Sequence, residues 1–546
     1  MLFRNFKLKT YLMRKILTLI SVTFVSGILF AGGVVTNTNQ SASWVRLPAR
    51  AASTNIDAVY YNPAGLMKLE NGFHFSVSNQ TIFQNKEVEN FYTGPGGAYG
   101  LNESLYKGKV SAPVFPGIYA VYKMDKLAFS VGFNPVGGGG GAVFDKGLPS
   151  FEMSPSDLVP ALATQGTTAY RLDAYFEGTS FYLGFQGGVS YKINDFISVA
   201  AGLRYVTAKN TYLGHLKDIE INMPTGWIRA DFIMTGIAGN ATTAATSTTA
   251  LVTGGAGALT LAQAEGAGII NALQRAQLEG ALTAFGSPTT ITISQADVVF
   301  KTAAAKYTAT ATLLGDQEAD VAQTGSGITP FFSVNISAAE ILNIGIKYEM
   351  ATKIELENKT TKDFITGFTQ TGTPITMFPD GEKIRNDLPA MLSIGADLKV
   401  TDNLKVSAAG YYYFDKNSNY GHKLDGVFVD NKEIFDNNFF ELSGGLEYKV
   451  SDKLLVSGGY LYSKTGVNSD YQSDLTYDLS ASTVGIGGAF SILENLQINL
   501  GVGYTMYQKG EKTIDHVFSA TGAIIPARET YYKDNMLFAV GVDFSF

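Results

Sequence analysis

Cysteine is absent from this sequence of 546 residues, so disulfides and thiolate metal sites are excluded. Histidine is scarce, and the four histidines show neither the spacing of metal ligands nor a nucleophile with its base: His74, His215, His422 and His516. Charged residues make up only 16%, and the net charge of -7 disfavours nucleic acid as a partner. We therefore expect no catalysis, no cofactor, no metal site and no nucleic-acid partner.

A run of about 20 apolar residues, the length of a membrane-spanning helix, is missing after the first 31 residues. Those first residues contain five basic side chains, then a mostly apolar run over 16–30, then Ala31, Gly32 and Gly33. This order predicts a signal peptide over 1–31, because an anchor helix needs a longer run. Met13 is an alternative start to Met1. In either case the chain is exported.

Glycine and aromatic residues are abundant instead, and they alternate with polar residues along the chain. One clear example runs from Phe440 to Val450, turns at 451–453, and continues from Leu454 to Tyr462. Successive side chains of a strand point to opposite faces, so one face is apolar and the other is polar or small. Strands of roughly 9 to 11 residues cross a bilayer, whereas strands of soluble sandwiches run about 5 to 6. The length favours a membrane barrel.

Fourteen such segments follow residue 71. They cover 72–84, 114–123, 126–136, 179–193, 196–212, 327–337, 341–356, 387–400, 403–416, 438–450, 453–466, 480–491, 495–509 and 533–546. Tight turns and longer loops alternate between them, as in outer-membrane barrels with periplasmic turns and extracellular loops. The pattern predicts an all-β membrane protein, a 14-stranded antiparallel transmembrane β-barrel over 72–546, in the outer membrane of a Gram-negative bacterium and in contact with its lipid.

Two segments do not fit a bare barrel. Residues 32–71 precede the first strand and either hang in the periplasm or fold as a small helical hatch; we favour the hatch, because a lumen of fourteen strands needs filling. Residues 213–326 form a long extracellular loop. Apolar residues recur there at helical spacing: Leu259, Ala262, Ile269, Leu273, Ala276, Leu282 and Phe285. Such a helix face either collects hydrophobic substrate or packs on neighbouring loops.

The chain resembles the FadL family of outer-membrane transporters of long-chain fatty acids and related hydrophobic compounds. The resemblance rests on Gly32-Gly33, on the stretch 51–65 that ends in Asn62-Pro63-Ala64-Gly65, on the fourteen strands and on the terminal Phe546. It implies a hatch whose extreme N-terminus is displaced by a hydrophobic ligand, and a kink in the third strand through which the ligand leaves sideways. It also implies a monomer and recognition of Phe546 by the barrel-insertion machinery.

The third strand has a candidate for this kink. After Phe133 the chain reads Asn134-Pro135, then Val136 and the glycines that begin at Gly137. Proline lacks the N–H that a barrel ladder needs, and glycine marks bends. We expect the wall to open there. The alternative is that Pro135 and the glycines begin the following loop.

A fatty acid needs an apolar tunnel with one positive group at its end. Strand parity places Arg204 and Lys347 in the lumen, and Arg46 and Arg50 belong to the hatch. These four are the candidate contacts of the ligand. The alternative is structural pairing, for example Lys347 with Glu349 or Arg50 with Asp57. Two other functions stay open at this point: a surface adhesin that displays residues 213–326, and an open porin.

Overall fold

The computed structural model describes residues 34–97, 99–338, 341–369, 371–424, 426–518 and 520–546. The signal peptide over 1–31, Gly32 and Gly33 lie outside the described residues, so their roles stay predictions.

Fourteen antiparallel strands form a closed barrel, as predicted. They are β1 Gly72–Asn90, β2 Leu105–Met124, β3 Leu127–Phe144, β4 Tyr170–Lys192, β5 Ile197–Met223, β6 Gln317–Ala338, β7 Leu342–Glu349 with Glu355–Lys362, β8 Lys383–Arg385 with Met391–Lys399, β9 Leu404–Tyr413, β10 Phe440–Lys449, β11 Leu454–Lys464, β12 Ala481–Leu493, β13 Leu496–Tyr507 with Gly510–Val517, and β14 Ile524–Ser545. The first and last strands pair and close the wall, where Phe73 N–H donates to Phe546 O at 2.7 Å.

The alternation of the sequence becomes the two faces of this wall. In β10, Leu442 is 56% and Leu446 is 53% exposed, whereas Glu441 is fully buried in the lumen. The outward face is a belt of large apolar side chains, which suits contact with lipid. At the rim with the tight turns, Phe73 stacks on Tyr122 and Phe546 with ring centroids 4.3 and 5.5 Å apart. Aromatic girdles of this kind are typical of membrane interfaces.

The hatch comprises the described residues 34–69 and lies inside the barrel. It contains α1 (Ala42–Arg46), α2 (Ala58–Tyr61) and a 3-10 helix (Pro63–Lys68). Ser41 caps α1, since its side chain accepts the Trp44 N–H at 3.0 Å. Wall glycines allow the hatch backbone to come close: a Cβ at Gly345 would lie 2.4 Å from Ala51 O, a distance no side chain tolerates. The lumen is therefore filled by the chain itself.

The longest connection joins β5 to β6 and is shorter than predicted. Residues 213–223 and 317–326, assigned to the loop from the sequence, belong to β5 and β6. The ladder between the two strands extends to Leu216 and Gln317, and residues beyond Leu216 pair with β4 and with Gly226–Arg229. The connection itself is largely helical. It contains α5 (Ala230–Leu251), α6 (Leu261–Gly266), α7 (Ala272–Ala284) and α8 (Ile293–Leu314), whereas the earlier helices α3 (Pro149–Ser156) and α4 (Leu158–Ala161) lie between β3 and β4.

The apolar helix face predicted between residues 259 and 285 is correct only in part. The segment forms two helices, α6 and α7, separated by a turn with Gly268 at φ +68°. Leu282 is buried as predicted, and Leu259 and Phe285 pack against the same core. Leu273 and Ile269 are instead 68% and 47% exposed, and Leu278, which was not predicted, is buried. The buried residues pack on α5 and α8 within the loop, so the apolar side chains serve its own core.

Short elements complete the loops. These are the hairpins Ile365–Phe368 with Pro374–Thr376 and Lys423–Leu424 with Val427–Phe428, the strand Gly226–Arg229, the helix α9 (Asn431–Ile434), the 3-10 turns Pro95–Gly97, Ala163–Gln165 and Asp415–Asn417, and the π-helical turn Val252–Ala256. Within the residues that the structure describes, helices fall short of the length and apolar character needed to cross a membrane.

Candidate functional site

The wall has a gap between β2 and β3. The two strands pair from Ile118 to Met124 and again from Gly108 to Val110, and the register skips residues 111–117 of β2 and 134–141 of β3. We call these two stretches the wall gap. Its edges contain Pro113, Pro116 and Pro135, which have no N–H to donate to a ladder. The interruption predicted at Asn134-Pro135 therefore lies within the barrel wall.

The strand continues beyond the gap, so Pro135 does not begin the following loop. On its other side β3 stays paired with β4, although the register shifts between Pro135 and Gly137 and again between Gly137 and Gly140. Phe133 is the last residue of β3 paired with β2 before the gap, and its ring lies 4.8 Å from that of Phe185 on β4. Over this stretch β3 therefore keeps its ladder with β4 and lacks one with β2.

The start of the hatch covers the wall gap from the lumen. Residues 34–40, which we call the gate segment, lie against β3 where β2 has left it, and Thr36 forms an antiparallel bridge with Gly137. Asn37 N–H donates to Val136 O at 3.0 Å, and Gly138 N–H donates to Val35 O at 3.3 Å. A Cβ at Gly137 would lie 2.3 Å from Val35 O, so this contact requires glycine. The gate segment thus takes over backbone groups that the gap leaves unpaired.

Gln40 joins both edges of the gap. Its side chain donates to Pro135 O at 2.9 Å and accepts from Asn134 Nδ2 at 2.6 Å, while its carbonyl accepts the Tyr119 hydroxyl of β2 at 2.8 Å. Asn134 is fully buried. The predicted site residues Phe133, Asn134, Pro135 and Gly137 are therefore brought together with the gate segment. Sequence reasoning missed Gln40 and Tyr119, which carry no motif.

The rest of the hatch is anchored to the wall by stronger contacts. Arg46 pairs with Glu447 of β10 at 2.7 Å. The Asn62-Pro63-Ala64-Gly65 turn is held by polar side chains of the wall: Asn62 Nδ2 donates to Asn335 Oδ1 at 2.7 Å, Ser190 donates to Pro63 O at 2.7 Å, and Ser198 donates to Ala64 O at 2.7 Å. At Gly65 a Cβ would lie 2.5 Å from the Asn62 side chain, so the turn needs glycine. This motif is an anchor of the hatch.

An ion pair inside the hatch fixes its shape. Arg50 contacts Asp57 at 2.6 Å, and Ser41 and Ser53 donate hydroxyls to the same carboxylate at 2.9 and 2.6 Å. Burial alone would raise the pKa of Asp57, but the Arg50 guanidinium and these hydrogen bonds lower it overall. Burial opposes the charge of Arg50, and Asp57 nevertheless raises the pKa of that guanidinium. Both groups are charged and mutually satisfied.

The two lumen cations are paired as well. Arg204 makes a bidentate contact with Glu349 at 2.7 and 2.8 Å, and Lys347 contacts Glu349 at 2.7 Å. Lys347 also donates to the Tyr60 carbonyl of the hatch. Together with Arg46 and Arg50, all four cations proposed from the sequence have a carboxylate partner. Arg204 lies beside the gap, because its side chain and that of Val136 both border Gly184.

A different cation pair was missed because the predicted ends of its strands fell short. Lys86 and Lys533 are cross-strand partners in β1 and β14, and both are buried in the lumen. The predicted segments ended at 84 and began at 533. Extending the first one by two residues keeps its parity and places Lys86 inward, so a longer strand assignment would have found it.

The family model described as "Outer membrane protein transport protein (OMPP1/FadL/TodX)" matches residues 265–546, more than half of the chain. A FadL homologue of Pseudomonas aeruginosa is similar in structure, with a TM-score of 0.56, 12% identity, and coverage of 95% of this chain and 100% of that one. A deltaS2S3 mutant of TodX, a monoaromatic hydrocarbon channel, has a TM-score of 0.50 and 12% identity over 94% and 100% of the two chains. These likenesses show the fold.

The toluene transporter TodX of P. putida has a TM-score of 0.48 and 14% identity over 90% and 95% of the two chains. No curated protein matches this chain by sequence. The family match rests on the chain's own sequence, and it agrees with the closed barrel of fourteen strands. Its members are transport proteins and not enzymes. The chain belongs to the outer membrane protein transport protein family (OMPP1/FadL/TodX), whose barrels lie in the outer membrane of Gram-negative bacteria.

Proposed function

We propose that this protein transports long-chain fatty acids or similar hydrophobic compounds across the outer membrane. The ligand displaces the gate segment, residues 34–40, and leaves sideways into the bilayer through the wall gap. One observation carries the proposal: the gate segment is bonded to the backbone groups of β3 that lack a partner on β2. When the gate segment leaves, nothing covers the wall gap and the wall opens. Relatives named a FadL homologue and a toluene transporter point to hydrophobic substrates.

The strength of the contacts divides the hatch into a part that leaves and a part that stays. The gate segment is bonded to β3 through neutral hydrogen bonds, each contributing about 1 kcal/mol net. The remainder is tied to the wall by the buried pair Arg46–Glu447, and breaking such a pair costs roughly 3 to 5 kcal/mol. A ligand that supplies a few kcal/mol therefore releases the gate segment before it disturbs the anchored part.

The outside of the gap suits an apolar product. Val114 is 66% and Ile118 43% exposed on the face of β2 that borders the gap. In an outer-membrane barrel this face meets the hydrocarbon of the bilayer. A molecule that leaves here enters the lipid directly and does not have to pass the closed end of the barrel that carries the tight turns, below the hatch.

Several further assignments belong to the same proposal. Residues 1–31 are the signal peptide, residues 32–71 form the hatch, and the barrel is a monomer in contact with outer-membrane lipid. Phe546 is recognised by the barrel-insertion machinery; in the fold it pairs with Phe73 and completes the closure. The helical loop between β5 and β6 buries its apolar residues in its own core, which favours a stable extracellular projection over a substrate collector.

A reversible cross-link tests the gate. Asn39 and Gln80 are bonded side chain to side chain at 3.0 Å, with Asn39 in the gate segment and Gln80 on β1. Because the chain has no cysteine, the pair Asn39→Cys and Gln80→Cys can be joined specifically by a short bifunctional methanethiosulfonate and released by dithiothreitol. We expect linked cells to lose fatty-acid uptake and to recover it on reduction.

The matched control links the anchored part. Ser43 of α1 donates to Asn499 of β13 at 3.2 Å, so Ser43→Cys and Asn499→Cys can be joined by the same reagent. This link should leave uptake unchanged, because α1 stays in place. Continued uptake through the Asn39–Gln80 link would overturn the gating proposal. Loss of uptake in both linked proteins would show that the whole hatch moves.

A further inference from the structure

A basic cavity lies at the end of the barrel that carries the tight turns, where the β2–β3 turn meets the β4–β5 turn. It has a volume of about 550 Å³, and we call it the rim cavity. Its lining residues are Asn71, Lys123, Asp125, Lys126, Lys192, Ile193, Asn194 and Asp195. Lys68, where the 3-10 helix of the hatch ends, acts electrostatically on Asp195. Four lysines and two aspartates give this corner a net charge of +2.

Three of the four ammonium groups have no carboxylate bound to them. Lys123 is only 8% exposed, and it donates to the side-chain carbonyl of Asn71, a neutral acceptor, at 2.8 Å. Lys126 is exposed, and within the described residues neither its ammonium group nor that of Lys68 has a hydrogen-bond or ion-pair partner. A nearly buried cation such as Lys123 is stabilised by an anion, and the chain leaves that place open.

The fourth lysine adds to the crowding of positive charge. Lys192 N–H donates to Lys126 O at 2.9 Å, so the two lysines lie side by side on neighbouring strands. Like charges in this position destabilise a strand pair. Lys192 contacts Asp195 at 2.6 Å, but that aspartate is 98% exposed, so water weakens the pair. An anion in the rim cavity would therefore relieve repulsion that the chain itself does not cancel.

The rim cavity is continuous with the lipid-facing surface of the wall. Ile193 lines the cavity and is also 49% exposed. Met124 of β2 and Tyr191 of β4 are 42% and 45% exposed on the outward face beside it. Exposed apolar and aromatic residues of this kind mark the membrane interface of a barrel. A basic cavity next to an apolar outer face matches the two parts of a phospholipid, whereas a soluble anion would make no use of the apolar face.

We propose that the rim cavity binds the phosphate group of an anionic phospholipid in the inner leaflet of the outer membrane, with the acyl chains lying on the outward face of β2, β3 and β4. Lysine clusters at a membrane surface attract anionic lipids in this way. Lys123, Lys126 and Lys192 surround the phosphate, and Ile193 contacts the start of an acyl chain. This site involves no transported molecule, so it is independent of the proposed transport function.

The acyl chains of a lipid held here extend to the wall gap. Lys123 at the cavity and Gly117 at the nearer end of the gap are six residues apart on β2, which is about 20 Å at about 3.3 Å per residue. Barrel strands tilt by roughly 35–45°, so the distance along the membrane normal is about 15 Å. One leaflet is about as thick, half of the roughly 30 Å hydrocarbon core. The bound lipid therefore covers the outer side of the wall gap.

Lipid binding to the purified full-length protein tests the rim cavity. The protein is freed of lipid in detergent and titrated with dioleoylphosphatidylglycerol, and native mass spectrometry measures the bound fraction. Each lysine contributes about fivefold in affinity, or about 1 kcal/mol, so Lys126→Gln with Lys192→Gln should weaken binding about 25-fold. The matched control is Lys449→Gln with Lys453→Gln at the β10–β11 turn across the barrel, where Lys449 also pairs with an aspartate three residues later.

Other ligands show which part of the lipid is recognised. Dioleoylphosphatidylcholine has the same phosphate and tails but no net charge, and it should bind the wild type about as weakly as phosphatidylglycerol binds the Lys126→Gln and Lys192→Gln protein. Inorganic phosphate should compete poorly because it lacks tails. Ile193→Asn should weaken binding of the lipid and leave that of phosphate unchanged.

Four outcomes would overturn the lipid site, provided that heat-modifiable migration shows a folded barrel. They are unchanged phosphatidylglycerol binding after loss of Lys126 and Lys192, an equal loss in the control protein, equally tight binding of phosphatidylcholine, and inorganic phosphate that binds as tightly as the lipid. The last result would show a site for a free anion.

Discussion

Replacing Gly137 by alanine should open the gate without any ligand. Gly137 does not have the positive φ that favours glycine, so alanine fits its backbone. The added methyl group would lie 2.3 Å from Val35 O, whereas its next contacts, Tyr182 Cβ and Leu388 Cδ2, lie at 3.3 and 3.5 Å and are tolerable. The substitution therefore acts on the gate segment and little else.

The size of the effect follows from the bonds that are lost. Residues 35–37 are joined to β3 by two backbone hydrogen bonds. Asn37 N–H donates to Val136 O at 3.0 Å, and Gly138 N–H donates to Val35 O at 3.3 Å. At about 1 kcal/mol each, their loss weakens the closed state by about 2 kcal/mol. Because about 1.4 kcal/mol is a factor of ten, the ratio of open to closed protein should rise roughly thirtyfold. The Gln40 contacts remain, so closure is weakened and not abolished.

Single-channel recording in planar bilayers measures this ratio directly as the time in the conducting state divided by the time in the closed state. The matched control is Gly141→Ala in the same glycine run, where the nearest atom is Thr179 Cγ2 at 3.2 Å and the gate segment is not in contact. Heat-modifiable migration on gels verifies that each variant is a folded barrel. A folded Gly137→Ala protein with the open fraction of the wild type would refute the reasoning that the gate segment closes the wall gap.

Three further predictions concern the parts that stay in place. Arg50→Met should destabilise the hatch by roughly 3 to 5 kcal/mol, since it strands the buried Asp57, and Arg50→Met with Asp57→Leu should recover part of this in protease-protection assays. In the Trp227→Phe variant, buried Trp44 of α1 is the only tryptophan, so its fluorescence reports on the position of α1. Oleate should not increase the quenching of Trp44 by acrylamide, and an increase would mean that α1 leaves. Burial lowers the pKa of His422 from 6.5 to about 4. The loop that contains His422 should therefore be fully stable above pH 6.5 and lose stability as the pH falls towards 4. Limited proteolysis measures this loss, and His422→Gln should remove its dependence on pH.

The signs of the His422 prediction follow from proton binding. Between pH 6.5 and 4 the unfolded loop binds a proton that the folded loop excludes, so acid favours the unfolded loop. The side chain is buried and stacked on Tyr471 with ring centroids 5.4 Å apart. A loop that resists proteolysis equally at pH 7 and pH 4.5 would contradict this account.

Local sequence patterns are sufficient for the wall. The parity of side chains along a strand and the chemistry of tight turns act over a few residues, so the sequence alone places all fourteen strands. It does not place their ends, because β5 and β6 extend beyond the membrane, where polar residues on both faces hide the alternation. The single helix face predicted in the long loop is only partly correct for a similar reason. The turn at Gly268 resets the spacing, and spacing alone does not show where one helix stops.

The sequence by itself determined a barrel of fourteen strands, a segment ahead of it long enough to fill the lumen, and an interruption at Asn134-Pro135 in the third strand. Only the tertiary structure decided what these features do together. Arg46 meets Glu447 and Gln40 meets Asn134 across 401 and 94 residues of chain, and no local pattern encodes such partners. Burial decides the role of the four cations proposed from the sequence, because a buried charge needs an anion close by, and each of the four has a carboxylate partner in the chain.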